Sequence, residues 1–288
     1  MSGEFVKLAT PTESGVLRFL YNNPFGRVIL RLLRARWVSA VVGGYMDTAL
    51  SKPLIKGFMK NNNINAEDYY CDNFRCFNDA FTRQIKEGKR PVSGGEEPIC
   101  PCDGLLSVYE IKDGLVMPIK QSAYSVESLL KNRELSEEFR EGYAYVFRLC
   151  VDNYHRYVYP VDGEKGENIF INGTLHTVRP IALEKTKVFC ENAREYTVIQ
   201  TEKYGKFVQI EIGAMLVGRI NNHHGKGECK KGEEKGMFLY GGSTIVLLTQ
   251  KGICSPDRGI LQATSDGFEI PVEMGEMLNL KSREKITV

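Results

Sequence analysis

The chain holds 288 residues, 42% apolar and 26% charged, which is ordinary globular usage with room for one large domain or a domain and an appended segment. A formal net charge of +2 gives no electrostatic case for a nucleic-acid partner. The N-terminus lacks the charged-then-apolar pattern of a signal peptide, and no apolar run approaches the roughly 18 to 20 residues that span a bilayer, so the chain does not read as an integral membrane protein.

Residues 1–90 read as a helical region and 91–288 as a mostly antiparallel, β-rich body, an α+β arrangement. In "NNPFGRVILRLLRARWVSAVV" the apolar Ile29, Leu32, Leu33, Trp37 and Ala40 recur at helical spacing, with Arg27, Arg31 and Arg34 on a second face. Asn23-Pro24 offers a cap followed by a first-turn proline. Such a cationic amphipathic helix suits either an anionic membrane surface or the body of the protein. Next, Phe74, Phe77 and Phe81 sit at helix-compatible spacing, and Gly88 and Pro91 end that segment.

From "YAYVFRLCV" (143–151) onward the chain is a series of short β runs. These are "NIFING", "KVFCEN", "REYTVIQT", "FVQIEIGAMLVGRI", "MFLYGGSTIVLLT" and "FEIPV". Strands and helices do not alternate and no phosphate loop is present, which argues against a doubly wound nucleotide fold. The polar, glycine-punctuated "KGECKKGEEKG" (226–236) reads as an exposed loop. Eight cysteines form no C-x-x-C pair, and Cys100-Pro101-Cys102 is poorly spaced for a zinc knuckle. They read as reduced thiols of a cytosolic protein, and no metal site is expected.

One stretch asks for chemistry. In "FLYGGSTIVLL" two glycines precede Ser243 and Thr244 and a β-branched run follows. The second glycine of a hydrolase G-x-S-x-G elbow is missing, and a phosphate cradle would want a helix after the loop. Attack of a serine hydroxyl on the carbonyl just before it fits better, because a glycine there leaves that carbonyl sterically open. Elimination from the resulting ester breaks the chain and leaves dehydroalanine, which hydrolyses to a pyruvoyl group. That carbonyl can form a Schiff base with a substrate amine and serve as an electron sink for decarboxylation.

Five ordered blocks surround this stretch. "FNDAFTRQIKEGKRPV" (77–92), "CPCDGLLS" (100–107), "VDNYHRYVYP" (151–160), "IEIGAMLVGRI" and "KGEEKGMFLYGGSTIVLL" resemble the motifs of the phosphatidylserine decarboxylase family, from about residue 35 to the C-terminus. The last block is in a G-G-S-T form where L-G-S-T is also used. The resemblance implies self-cleavage between Gly242 and Ser243. The products would be a β chain of residues 1–242 and an α chain of 243–288 that stay paired, with a pyruvoyl cofactor made from Ser243. It places a catalytic carboxylate at Asp103 and a decarboxylation-step histidine at His155. The block usually carries a second histidine, the base of the cutting step, where this chain has Val158.

The chain has four histidines, at 155, 176, 223 and 224. His176, in "GTLHTVRP", is the first choice for the missing base, on a strand able to pair with "YHRYVY" beside position 158. His224 is second. The implied substrate is phosphatidylserine, decarboxylated to phosphatidylethanolamine by an enzyme docked peripherally on the cytoplasmic face of an anionic membrane, where Arg27, Arg31 and Arg34 would each add roughly 1 kcal/mol. A different amine substrate and an unprocessed, non-enzymatic scaffold stay open, as does a homo-oligomer. The residues that bind the lipid are not assigned.

Overall fold

The computed structural model describes residues 6–7, 23, 36–119, 122–173, 192–213, 219–239 and 243–279. Arg27, Arg31 and Arg34 of the expected cationic helix lie outside them. Helices come first: α1 (Arg36–Met46), α2 (Pro53–Asn61) and α3 (Phe77–Phe81), with 3-10 turns at Ala49–Ser51 and Ala66–Asp68. Pro53 opens α2 in the first turn, where its missing N–H leaves no bond unmade. Phe58 of α2 packs on Phe77 and Phe81 of α3, with ring centroids 5.0 and 5.9 Å away, and this cluster rests on Val151 of the β-rich body.

The phenylalanine spacing overestimates α3. Cys76 is extended ahead of it, so Phe74 lies in the preceding loop. Asp79 turns its carboxylate back onto the Arg75 amide (2.9 Å) and guanidinium, which ties that loop down in place of another helical turn.

Strands then follow: β1 (Val6–Lys7) far upstream, β2 (Gly104–Glu110), β3 (Met117–Ile119), β4 (Ser122–Tyr124), β5 (Tyr143–Leu149), β6 (Arg156–Val158), β7 (Gly163–Lys165) and β8 (Ile169–Ile171). The rest are β9 (Arg194–Gln200), β10 (Lys206–Ile212), β11 (Ile220–Asn222), β12 (Gly227–Cys229), β13 (Glu234–Phe238), β14 (Ser243–Thr249) and β15 (Phe268–Val272). The main sheet has ten strands in the order β1-β15-β2-β5-β14-β10-β9-β7-β12, with β8 also on β9. A three-stranded sheet, β11-β13-β6, and the hairpin β3-β4 complete the set. Every pairing is antiparallel, as expected of an α+β fold with a β-rich body.

The main sheet buries both faces. Leu106, Tyr145, Phe147, Phe207, Ile245 and Leu247 share one apolar cluster with Tyr157 and Phe238 of the small sheet. Val146, Val208, Ile210, Val246 and Leu248 share the other with Leu129 and Leu130 of α4 (Val126–Leu130). Short helices α4, α5 (Arg133–Glu137) and α6 (Arg258–Ser265) interrupt a body read from sequence as mostly strand. Their signals are local: the Ser125, Asn132 and Asp257 side chains each accept an amide of the following turn.

The expected exposed loop at 226–236 is a further correction. Gly227–Cys229 and Glu234–Phe238 are strands, Cys229 is buried, and Lys235 is fully buried. The pairing of β13 with β6 slips between Glu234, opposite Val158, and Gly236, opposite Tyr157. Lys235 is therefore the extra residue of a β-bulge, which turns its side chain into the core. A Cβ at Gly236 would come within 2.3 Å of the Asn221 carbonyl, so only glycine fits after the bulge.

Candidate active site

Several strands of the main sheet end together. Leu149 of β5 lies opposite Ser243 of β14, and Thr244 opposite Ile212 of β10, which is in turn opposite Arg194 of β9. On the other side of β5, Leu105 of β2 lies opposite Arg148. Asp103 and Gly104 thus come to the same edge as Ser243. Gly104 is needed there, since a Cβ would stand 2.9 Å from the Arg148 carbonyl oxygen.

Ser243 opens β14, the strand between β5 and β10. Side chains alternate along a strand, so Ser243 shares the face of Ile245 and Leu247, toward the small sheet. It is 0% exposed, and its Oγ has no hydrogen-bond partner among the described residues. A buried hydroxyl without a partner costs about 1–3 kcal/mol. Gly242 lies outside the described residues. The segment 239–242 joins β13 of the small sheet to β14 of the large one, so the expected cut falls between two anchored strands.

Asp103 is buried, and its carboxylate is gripped by Arg90, whose Nε and Nη2 donate at 2.8 and 2.7 Å to the two oxygens. The Met274 amide donates to Oδ1 at 2.9 Å. Burial works to lower the Arg90 pKa, but the carboxylate outweighs it and the net shift is upward. The sequence led us to expect this carboxylate behind a histidine; its described partners are an arginine and an amide. The guanidinium is bidentate and occupies both carboxylate oxygens.

His155 is fully buried just before β6, and its carbonyl accepts the Phe238 amide at 2.9 Å. This ties it to the end of β13 from which the chain runs on to Ser243. The ring lies 4.1 Å from that of Phe81, and Nδ1 is 2.9 Å from the Asn153 carbonyl oxygen. A carbonyl only accepts, so Nδ1 carries the proton of that bond.

The other histidines divide. His176 lies outside the described residues. His223 Nε2 is 2.9 Å from Glu234 and His224 Nδ1 is 3.3 Å from the Tyr159 hydroxyl. Both stand at the end of the small sheet where Glu234 faces Val158, four residues before Phe238, or roughly 13 Å at the rise of a strand. The described partners of the second-choice His224 are Tyr159 and Glu233.

Sequence reasoning missed a buried network on the Ser243 face of the main sheet. Lys235 Nζ donates to both Glu211 oxygens at 2.9 Å and to Asn222 Oδ1 at 2.8 Å, and Asn222 Nδ2 reaches Glu195 at 2.8 Å. Lys235 and Glu211 are each 0% exposed. Burial pushes the Glu211 pKa up, against the opposing pull of Lys235. Nothing in "GEEKG" marks its lysine as internal, since the bulge that aims it inward is a matter of strand register. Arg90 was passed over as well, although it lies in the block "FNDAFTRQIKEGKRPV".

The profile described as phosphatidylserine decarboxylase matches residues 77–278. Phosphatidylserine decarboxylase proenzyme 2 of Clostridium acetobutylicum is 43% identical over 268 residues, covering 92% of each chain. The proenzyme of Fusobacterium nucleatum subsp. nucleatum is 36% identical over 94% of this chain and 93% of its own, and that of Clostridium novyi 37% over 92% of each.

Proposed function

Because the chain belongs to the phosphatidylserine decarboxylase family, we propose that it cuts itself between Gly242 and Ser243 and then decarboxylates phosphatidylserine to phosphatidylethanolamine. The observation that carries the cutting step is the Ser243 hydroxyl, buried and without a described partner at the first residue of a central strand. Its Oγ attacks the Gly242 carbonyl carbon and gives up its proton. The Gly242–Ser243 C–N bond breaks, the nitrogen gains a proton, and an ester joins the two parts. Removal of the Ser243 Cα proton then expels the Gly242 carboxylate from Cβ. The dehydroalanine left behind hydrolyses with loss of ammonia to a pyruvoyl group.

The residues present fit such a group. Ser243 lies within a hydrogen-bonded strand, so a carbonyl formed there is held in place, screened from water by the small sheet. When formed, the group supplies an electron sink for loss of carbon dioxide from a substrate bearing an amine. His155, with Nδ1 committed to Asn153, presents Nε2 for proton transfer during decarboxylation. The cutting-step proton is assigned to His176 on the sequence argument alone. Asp103, paired with Arg90, ties residue 90 to residue 274, across the two prospective chains. β14 pairs with β5 and β10, and β15 with β2, so the α chain stays built into the sheet after cutting.

Denaturing mass spectrometry tests this reading. The parent should give residues 1–242 and 243–288, the latter with a blocked N-terminus, and Ser243→Ala should give one chain of 32.5 kDa. An identical two-chain pattern from Ser243→Ala would end the pyruvoyl reading. His176→Ala should also remain uncut, and normal cutting there would remove His176 as the base. Release of labelled carbon dioxide from phosphatidylserine and from free amino acids identifies the substrate.

A bilayer substrate asks for a docking surface, and we assign it to the helical region. Val41, Tyr45, Leu50, Leu54 and Tyr70 are exposed there beside the exposed Lys52, Lys56 and Lys60. Apolar side chains interleaved with cations suit an anionic lipid interface. Asp47 bonds both Asn78 of α3 and Arg219, the residue before β11, so this surface sits near the Ser243 edge. Among the described residues no helix is long and apolar enough to cross a membrane. Replacing Leu50 and Leu54 by serine should weaken flotation with anionic vesicles. Unchanged flotation would move the contact elsewhere.

A further inference from the structure

His155 is held by more than its own hydrogen bond. The Asn153 carbonyl that accepts from Nδ1 also accepts from Arg83, whose Nη2 donates to it at 3.1 Å and to the Asp152 carbonyl at 2.8 Å. Arg83 is 1% exposed, one of the most deeply buried cations in the protein. Its guanidinium lies 4.4 Å above the Tyr69 ring, and Nη1 reaches back to the Phe81 carbonyl. The same turn supplies Phe81, which packs on the His155 ring, and Thr82, whose carbonyl accepts from Arg156 Nε. The described partners of Arg83 are carbonyls and a ring face, and none is a carboxylate.

We propose that Arg83 is a positioning residue that sets the tautomer and charge of His155: by holding the Asn153 carbonyl it fixes the Nδ1–H form, and its buried charge keeps the ring neutral. This deepens the proton-transfer role given to His155 above and rests on it. A neutral ring with Nδ1–H presents an unprotonated Nε2, the form able to take up a proton before returning it. A second positive charge two hydrogen bonds from an uncompensated guanidinium, inside the protein, is disfavoured.

The other ionisable groups on the surrounding elements are engaged or neutral. Asp79 of α3 pairs with Arg75, and Arg156 of β6 with Glu234. The Cys150 thiol accepts from Arg148, and Asp103 is matched by Arg90. Burial pushes the Tyr154 hydroxyl up to about 12, and Asp152 is exposed to solvent. Among the described residues Arg83 is the buried charge joined to the ring through a shared hydrogen-bond acceptor.

The test needs neither cutting nor decarboxylation, so a chain that never processes itself leaves it intact. In the Ser243→Ala protein, nitrogen-15 spectra of the histidine rings are assigned by loss of one set in His155→Gln, and then followed against pH. His155 should be in the Nδ1–H form, and an Nε2–H form overturns the proposal before any change is made at Arg83. Arg83→Gln should raise the His155 midpoint by about one pH unit, the size expected of one nearby charge. Arg83→Lys should hold it near the parent value. An unmoved midpoint in a folded Arg83→Gln protein overturns the proposal, as does a lysine variant that shifts as far as the glutamine one. A His155 that behaves as described in a chain without decarboxylase activity would refute the function and leave Arg83's effect standing.

Discussion

The two faces of the main sheet are built from the same strands and obey different rules. Along β10, Val208, Ile210 and Ile212 enter an apolar layer closed by α4, while Phe207, Gln209 and Glu211 turn to the small sheet. The first side is mainly apolar, and its buried cation, Arg194, donates to the Leu129 and Ser128 carbonyls of α4. The second takes in the Lys235–Glu211 pair and three buried oxygens, of Ser243, Gln209 and Thr249, that have no hydrogen-bond partner among the described residues, against one, of Thr244, on the first. Burying polar groups in this way costs stability unless each is matched. The apolar face holds the fold together, and the other spends part of that stability to hold chemistry in place.

The comparison is most easily broken at Lys235. Lys235→Met leaves Glu211 buried without its cation and should cost about 3–5 kcal/mol in chemical denaturation of the uncut Ser243→Ala chain. Changing Glu211 and Lys235 together to methionine should return stability to within about 1 kcal/mol of the parent. A double variant as unstable as the single would mean that the pair is a foundation of the fold, and the contrast between faces would fail. The pH dependence has a definite sign. The folded Glu211 pKa lies above the unfolded value, so between the two the folded state binds more protons than the unfolded chain. Glu211's stabilising contribution is then fully present below its unfolded pKa and is lost as pH rises toward the folded one. The double variant should lack that slope.

On the apolar face, Leu248→Ala should cost about 3 kcal/mol, because Leu248 is fully buried among Val146, Val208 and Leu129. Self-cutting of the folded fraction should proceed at the parental rate, since Leu248 lies five residues along β14 from Ser243 and on its other face. A slowed cut at full folding would show that the two faces are mechanically coupled.

How far the sequence could be read follows the same division. Alternating and β-branched runs such as "YAYVFRLCV" and "FEIPV" fall on β5 and β15 because period-two burial is a local signal. Ser243, Asp103 and His155 could be named because their blocks are contiguous. Asp103 and Ser243 lie at one end of the two strands that flank β5 in the main sheet, and His155 lies just before β6 of the small one. Lys235 was misread as loop and Glu211 passed over, since each is defined by a partner 24 residues away and by a bulge in strand register. Arg83 acts through backbone carbonyls some 70 residues on, which no spacing rule encodes. The short helices α4 to α6 fell below the length at which helical periodicity separates from a buried strand.

The smallest expected effect bears most directly on what the chemical face costs. Gln209 is fully buried; its Oε1 has no hydrogen-bond partner among the described residues, and its Nε2 is 3.4 Å from the Val158 carbonyl, a long and weak contact. Its neighbours across the strands are Leu247 and Thr197. Leucine is close to glutamine in size, so Gln209→Leu removes the unmatched oxygen without opening a cavity. The change should stabilise the uncut chain by about 1 kcal/mol, the desolvation cost recovered less the weak bond forfeited. On the apolar face a size-matched exchange has no such cost to recover and should give no gain. If Gln209→Leu instead destabilised the chain, the side chain would have to be matched by more than this single contact, and the polar groups of this face would form a satisfied network comparable to the Lys235 pair.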